Sequence, residues 1–274
     1  MIKSLVKAIG LEYYKFRNYR PFVVILGLYI CCFLLSGLGV KFFLDFLIQQ
    51  QPDDSFLRHF VNSGIPIFDF VDIWQNLAWM ATIFKWIPAF IVIVSVTLEF
   101  SQKTIRQNII DGLSKEEFLF SKLALVLVIS VLSAVLLLLL GLFLGFLYSP
   151  VKSWFYITQH IGYVGAYGIE VFAFLCFALL FSFLFRRSGV TIIFFLLYTA
   201  AIEPILTAIL KYHYKWETWY FPMTAINSIV RIPFPKYGLG YVHDQVLLTD
   251  VLVALVWTSI FLLLSWWLLR KRDL

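Results

Sequence analysis

Three ionisable side chains, Lys85, Glu170 and Glu203, stand inside long apolar runs of this 274-residue sequence. A charge in the middle of a bilayer costs at least about 2.5–3.5 kcal/mol, so each needs a counter-charge, a proton or water. Lys85 comes three residues before Pro88, and Glu203 directly precedes Pro204, whose missing N–H frees a carbonyl and favours a bend. A Lys85–Glu170 or a Lys85–Glu203 pair facing the interior of a helix bundle would neutralise the charges. Such a pair is either a lock between helices or a polar spot on a transport route, and residue types leave both open.

Other reactive residue types do not assemble into a site. None of His59, His160, His213 and His243 lies in the middle of an apolar run. No two have the i, i+4 spacing that would put two metal ligands on one helix face, so no metal is expected. Glu116 and Glu117 form an acidic pair, but between runs, where an intramembrane protease could not use them. Cys31, Cys32 and Cys176 all fall within apolar runs and read as small core residues rather than a disulfide framework. No G-x-x-x-x-G-K-[ST] phosphate loop occurs, and no segment outside the runs could house a nucleotide-binding domain. The chain is therefore expected not to be an enzyme and to bind no cofactor itself.

The elements that must position these residues are membrane spans. Hydrophobic residues make up 61% of the sequence and charged residues 14%, with a mean hydropathy of +0.88. A soluble domain has roughly 45–50% apolar and about 25% charged residues. Six runs are long enough to cross the hydrocarbon core: Pro21–Val40, Leu77–Leu98, Leu123–Tyr148, Ile161–Phe185, Val190–Leu210 and Val251–Leu269. The net charge of +6 does not indicate nucleic acid, because the basic residues sit beside these runs. Lys3, Lys7, Lys15, Arg17 and Arg20 precede the first run. Lys103, Arg106, Lys115 and Lys122 follow the second, Arg186 and Arg187 the fourth, and Arg270, Lys271 and Arg272 the sixth. The intervening segments hold fewer basic residues over longer stretches, so both termini are expected in the cytoplasm. The charged stretch reaching Arg20 is too long for a signal-peptide n-region, and no cleavage is expected.

Residues 1–20 read as an amphipathic helix lying along the inner leaflet. Ile2, Leu5, Val6, Ile9, Tyr13 and Phe16 form its stripe, with Lys3, Lys7 and Lys15 largely opposite. Gly141 and Gly145 form a G-x-x-x-G pair in the third run, and Gly162, Gly165 and Gly168 line the start of the fourth, allowing close helix approach. The loop of residues 99–122 is the most informative stretch. Ile105, Ile109 and Ile110 are expected on one face of a short helix, with Leu113 just past its end. Asp111-Gly112 is a stop signal, glycine being free to adopt the left-handed conformation. Ser114 then starts a new helix with Glu117 completing a capping box. In the segment 211–250, Trp216, Trp219, Tyr220, Phe221, Ile226, Ile229 and Val230 give an interfacial character, broken into pieces by Pro222, Pro233 and Pro235.

At residues 99–122 the sequence resembles the ABC-2 class of ABC transporter permeases. The resemblance rests on acidic Glu99, the Lys103-Thr104 pair, a short amphipathic helix, the Asp111-Gly112 turn, the Ser114-Lys115 pair and Lys122 before a long span. It implies an all-α membrane protein of the type V exporter kind: one permease domain over residues 1–274, six spans, an N-terminal elbow helix, a coupling helix between spans two and three, and short outer-side helices between spans five and six. By the same resemblance, Glu99 marks the exit of span two and Thr104 to Ile110 form the coupling helix. Thr104, Ile105, Gln107, Asn108 and Ile109 then contact an ATPase, and Asp111, Gly112 and Ser114 make the turn before span three. It also implies a second permease, either another copy of this chain or a relative of it, a separate ABC ATPase subunit that holds ATP and Mg, and a place in the bacterial inner membrane. Spans two and five would line the pathway, so Lys85 and Glu203 would lie on it, with Glu170 of span four joining them where it pairs with Lys85. An ion-coupled secondary transporter and a membrane scaffold or mechanotransmission subunit are the competing readings.

Overall fold

The computed structural model describes residues 19–50, 67–233 and 245–271, together with Gly10. The expected interfacial helix of residues 1–20 falls outside the described residues for most of its length, as does 234–244 of the segment before the last span. Every regular element among the described residues is helical, and six helices are long and apolar enough to cross a membrane. The chain is thus a multi-pass, all-α protein.

The first span is α1 (Arg20–Gln50). The helix continues ten residues past the expected end at Val40, and no proline interrupts the sequence until Pro52. The second span is composite: α2 (Ile73–Thr82), a 3-10 turn at Ile83–Lys85, and α3 (Trp86–Ser101). Pro88 explains the join. Its ring crowds the carbonyl four residues back, that of Phe84, and it has no N–H to offer it, so the backbone tightens there. After the short helix α4 (Thr104–Ile110) comes the third span, α5 (Lys115–Tyr148). The fourth span is α6 (Trp154–Gln159) followed by α7 (Gly162–Phe185). The fifth is α8 (Ser188–Leu197), a π-helical turn at Tyr198–Ile202, and α9 (Glu203–Tyr212). The expected irregularity at Pro204 is this widened turn, which takes up the backbone groups that proline leaves without partners. A short helix, α10 (Pro222–Asn227), precedes the sixth span, α11 (Leu248–Lys271).

Helix α7 is the hub, packing against α2, α3, α5, α8, α10 and α11. Its buried face is built from Tyr167, Val171, Phe174, Leu175, Cys176 and Leu179. Phe177 and Phe181 carry an aromatic cluster outward to Phe195 and Tyr198 of the fifth span. Cys176 is the buried core residue expected of it, whereas Cys31 is exposed on α1, because that span buries little of its surface. Tyr29 of α1 donates to Ser133 Oγ at 2.8 Å and shares a 3.2 Å hydrogen bond with Tyr167, tying the first span to α5 and α7.

The glycines of α5 accept aromatic rings from α2 and the turn before it rather than another helix backbone. A Cβ on Gly141 would come within 2.6 Å of the Trp74 ring, and one on Gly145 would strike Phe70. Trp74 is fixed in that slot by its indole N–H, which donates to the Ile157 carbonyl at 2.8 Å. Gly165, in contrast, faces open space. Gly141→Ala is therefore expected to lower stability by about 1–3 kcal/mol, the usual range for overpacking a filled site. Gly165→Ala should leave stability unchanged or slightly raised. Thermal unfolding of the two purified variants in detergent measures the difference, and equal melting temperatures would contradict the fit.

Candidate functional site

The loop between α3 and α5 is a rigid projection fastened at every corner. Helix α3 ends at Ser101, and Lys103 takes a left-handed backbone conformation (φ 58°) that turns the chain into α4. The Thr104 hydroxyl reaches back to the Glu99 carbonyl at 3.3 Å. At the far end of α4, Gly112 adopts φ 94°, its N–H donates to the Ile109 carbonyl, and the Leu113 N–H donates to the Asn108 carbonyl. These two bonds make a Schellman motif, which satisfies carbonyls that a helix end otherwise leaves open. Ser114 Oγ then accepts from the Glu117 N–H at 3.1 Å while the Glu117 carboxylate accepts from the Ser114 N–H at 3.0 Å. The expected stop, turn and capping box are all present.

One expectation about α4 is corrected. Ile105 is buried and Ile109 packs partly on the core, but Ile110 is 83% exposed. At 3.6 residues per turn Ile110 lies roughly 140° around the helix from Ile105, so the three cannot share a face. Arg106, Gln107 and Asp111 are exposed with it, as are Gly112 and Ser114, and Asn108 is half-buried.

Beneath the loop, Glu99 and Lys122, 23 residues apart, meet in an ion pair. Lys122 Nζ is 2.5 Å from Glu99 Oε1, donates to Ser95 Oγ at 3.1 Å, and lies 5.5 Å from the centre of the Phe118 ring. The Lys122 side chain is completely buried. The two residues stand at opposite edges of the loop in the sequence, and their pairing joins the end of α3 to the first turns of α5. The signal was available: opposite charges flank one short loop, where each would otherwise enter the apolar layer alone.

The intramembrane charges divide. Lys85 Nζ lies 2.5 Å from Glu170 Oε1 and 2.6 Å from Asn227 Oδ1, over the face of Phe174. This is one of the two pairings the sequence allows. Glu203 does not join it. Its Oε1 accepts from the Thr224 N–H at 2.8 Å and lies 3.3 Å from the Thr224 hydroxyl, so the carboxylate holds the first turn of α10. Asn227 and Thr224 were missed because nothing in the sequence shows which face of α10 turns inward. A cavity of about 630 Å³ opens beside them, lined by Glu203, Thr207, Lys211, Thr224, Asn227 and Arg231. Arg231 is held by Asp250 at 2.7 Å.

Residues 24–274 match the family described as a protein of unknown function, DUF2705. The chain belongs to DUF2705. No curated protein matches it. The match begins inside α1 and takes in the braced loop, both ion pairs and the α10 cavity, so these features belong to the DUF2705 region of the chain.

The Glu99–Lys122 pair generates a test within this DUF2705 protein. Lys122→Met leaves a buried carboxylate without its counter-charge and is expected to cost about 3–5 kcal/mol, whereas the double variant Glu99→Gln/Lys122→Met should recover most of that loss. Unfolding of the single and double variants in detergent reads the coupling. A double variant as unstable as the sum of the singles would show that the two groups do not act on one another.

Proposed function

We propose that this chain is the transmembrane permease subunit of an ATP-binding cassette transporter of the ABC-2 class. The observation that carries the reading is the braced loop. Helix α4 has both ends fixed by backbone geometry, one face buried through Ile105, and its base fastened by the Glu99–Lys122 pair. A freely linking loop has no use for such bracing. A loop that must pass force from a separate ATPase into the membrane needs it, since a coil would absorb the displacement.

In this reading the loop faces the cytoplasm, with the surrounding basic residues obeying the positive-inside rule. The ATPase subunit binds ATP and Mg and docks on the exposed side of α4, formed by Arg106, Gln107, Ile110 and Asp111. Thr104, Ile105, Asn108 and Ile109 hold that surface in place from behind, and Gly112 and Ser114 set its angle to span three. Movement of α4 reaches α3 through Glu99 and α5 through Lys122. A second permease copy covers the exposed flanks of the fifth and sixth spans, most of whose residues are not buried within one chain. The pathway then runs near Glu203 and its cavity, while Lys85 and Glu170 lock span two to span four.

The test is a pull-down of the detergent-solubilised full chain from its native membrane, with the bound proteins identified and assayed for ATP hydrolysis. The wild type is expected to retain a stoichiometric ATPase. Ile110→Glu should reduce it by about tenfold or more, as for an exposed interface anchor, at an unchanged melting temperature. The absence of any ATPase from the wild-type sample in mild detergent would turn the reading to an ion-coupled transporter or a membrane scaffold.

A further inference from the structure

The cavity beside α10, at the end of the bundle away from the braced loop, has a polarity that neither helix packing nor ATPase docking explains. Its volume of about 630 Å³ suits a small organic group rather than a single ion. Glu203 stands in its wall, directly after the π-helical turn at Tyr198–Ile202, and is only 1% exposed. Turns of this kind are frequent at functional sites. The fold uses only part of the carboxylate. Oε1 takes the Thr224 N–H and hydroxyl, and the Met223 N–H and the Tyr198 hydroxyl also face the group. Oε2 is buried and has no hydrogen-bond partner among the described residues. A buried carboxylate oxygen left in that state is costly, and it points to a donor that comes from outside the chain.

The hydroxyls of the same wall already direct their protons elsewhere. Thr207 donates to the Glu203 carbonyl at 2.9 Å, Ser228 to the Ala225 carbonyl at 2.8 Å, and Thr224 to Glu203 Oε1 at 3.3 Å. Each is left with lone pairs to offer the cavity, so the wall near Glu203 is a set of acceptors. The two cations of the wall stand apart from that set. Arg231 gives two hydrogen bonds to Asp250, at 2.7 and 3.1 Å. Lys211 is exposed in the last turn of α9, eight residues and about 12 Å along the helix from Glu203. Helical side chains lean toward the N-terminus, which brings the Lys211 ammonium back over the cavity. The hollow thus has a negative pole at depth and a positive one at its mouth.

We infer that this cavity binds a primary ammonium group, carried by a zwitterionic ligand whose anionic end lies toward Lys211. A primary ammonium brings three N–H donors, which match Glu203 Oε2 and the hydroxyl lone pairs. A quaternary amine brings none. A phosphate a few bonds from the amine would then face Lys211 at the end of the span. The aminoethyl phosphate of a phospholipid headgroup and its soluble counterpart, phosphoethanolamine, share this chemistry. Such binding belongs to the chain alone and needs no ATPase, so it stands or falls separately from the transporter reading.

The experiment is native mass spectrometry of the full-length chain released from detergent, titrated with phosphatidylethanolamine or phosphatidylcholine, with phosphoethanolamine as the soluble competitor. One phosphatidylethanolamine is expected to be retained in preference to phosphatidylcholine. Glu203→Gln keeps the side-chain shape and should weaken that retention by about tenfold or more, the loss of a charge-assisted contact. Ala208→Phe fills the cavity from an exposed position on α9 and should weaken it to a similar degree. That variant leaves Glu203 and its bonds in place, which separates loss of the site from loss of the fold. Glu217→Gln removes an exposed carboxylate outside the cavity wall and should change retention less than about twofold. Displacement of the lipid by millimolar phosphoethanolamine would keep the ammonium site and make its source soluble. An undiminished preference in Glu203→Gln would overturn the assignment, since a neutral side chain would then serve as well. Indifference of the wild type between the two lipids, with no effect of phosphoethanolamine, would eliminate it.

Discussion

The ammonium of Lys122 has no access to water, and it lies 2.5 Å from the Glu99 carboxylate. Either charge alone at that depth would be expelled or neutralised by a proton, so each is stable only while the other is beside it. The contact therefore fixes more than two side chains. It sets the distance between the end of α3 and the beginning of α5, and hence the width of the base on which α4 stands. The Schellman turn at Gly112 and the capping box at Ser114 then have one geometry to satisfy rather than many. A loop of comparable length tethered only at its ends would sample a range of angles.

The second span carries this constraint across the layer. At the loop end it is joined to α5 through Glu99, and deeper in the bundle it is joined to α7 and α10 through Lys85, Glu170 and Asn227. The 3-10 turn at Ile83–Lys85 lies between α2 and α3 and places the lysine at the first residue before the α-helix resumes. Glu203 meanwhile holds α10 from the fifth span. The second span thus connects two separate polar clusters, one at the loop end and one deeper in the bundle, through its own helix.

The architecture was legible where it depends on local rules. Six apolar runs predicted six spans, Asp111-Gly112 and Ser114–Glu117 predicted the loop's punctuation, and Lys85 with Glu170 was one of two pairings that charge balance allowed. Features set by partners distant in sequence were not legible. Glu99 and Lys122 were read as markers of a boundary because the pattern gives position along the chain and not which side chains meet. Ile110 was grouped with Ile105 by hydrophobicity, although the helical angle between them places it outward. Asn227 and Thr224 become neighbours of Lys85 and Glu203 only once α10 is folded against α7 and α9, an arrangement no periodicity encodes.

The two ion pairs differ in one respect that bears on how the chain is made. Glu99 and Lys122 are separated by 23 residues, and Lys85 and Glu170 by 85. At a synthesis rate of about 5–20 residues per second, the first pair is complete within roughly 1–5 s, and the second only after roughly 4–17 s. Throughout the longer interval the second span holds a lysine in its middle with no glutamate yet made to meet it. During that time the unpaired lysine adds about 2.5–3.5 kcal/mol to the cost of holding the span in lipid. The cost is relieved only when the fourth span arrives with Glu170, so the spacing of the charges along the chain makes the second span settle fully later than the loop end does.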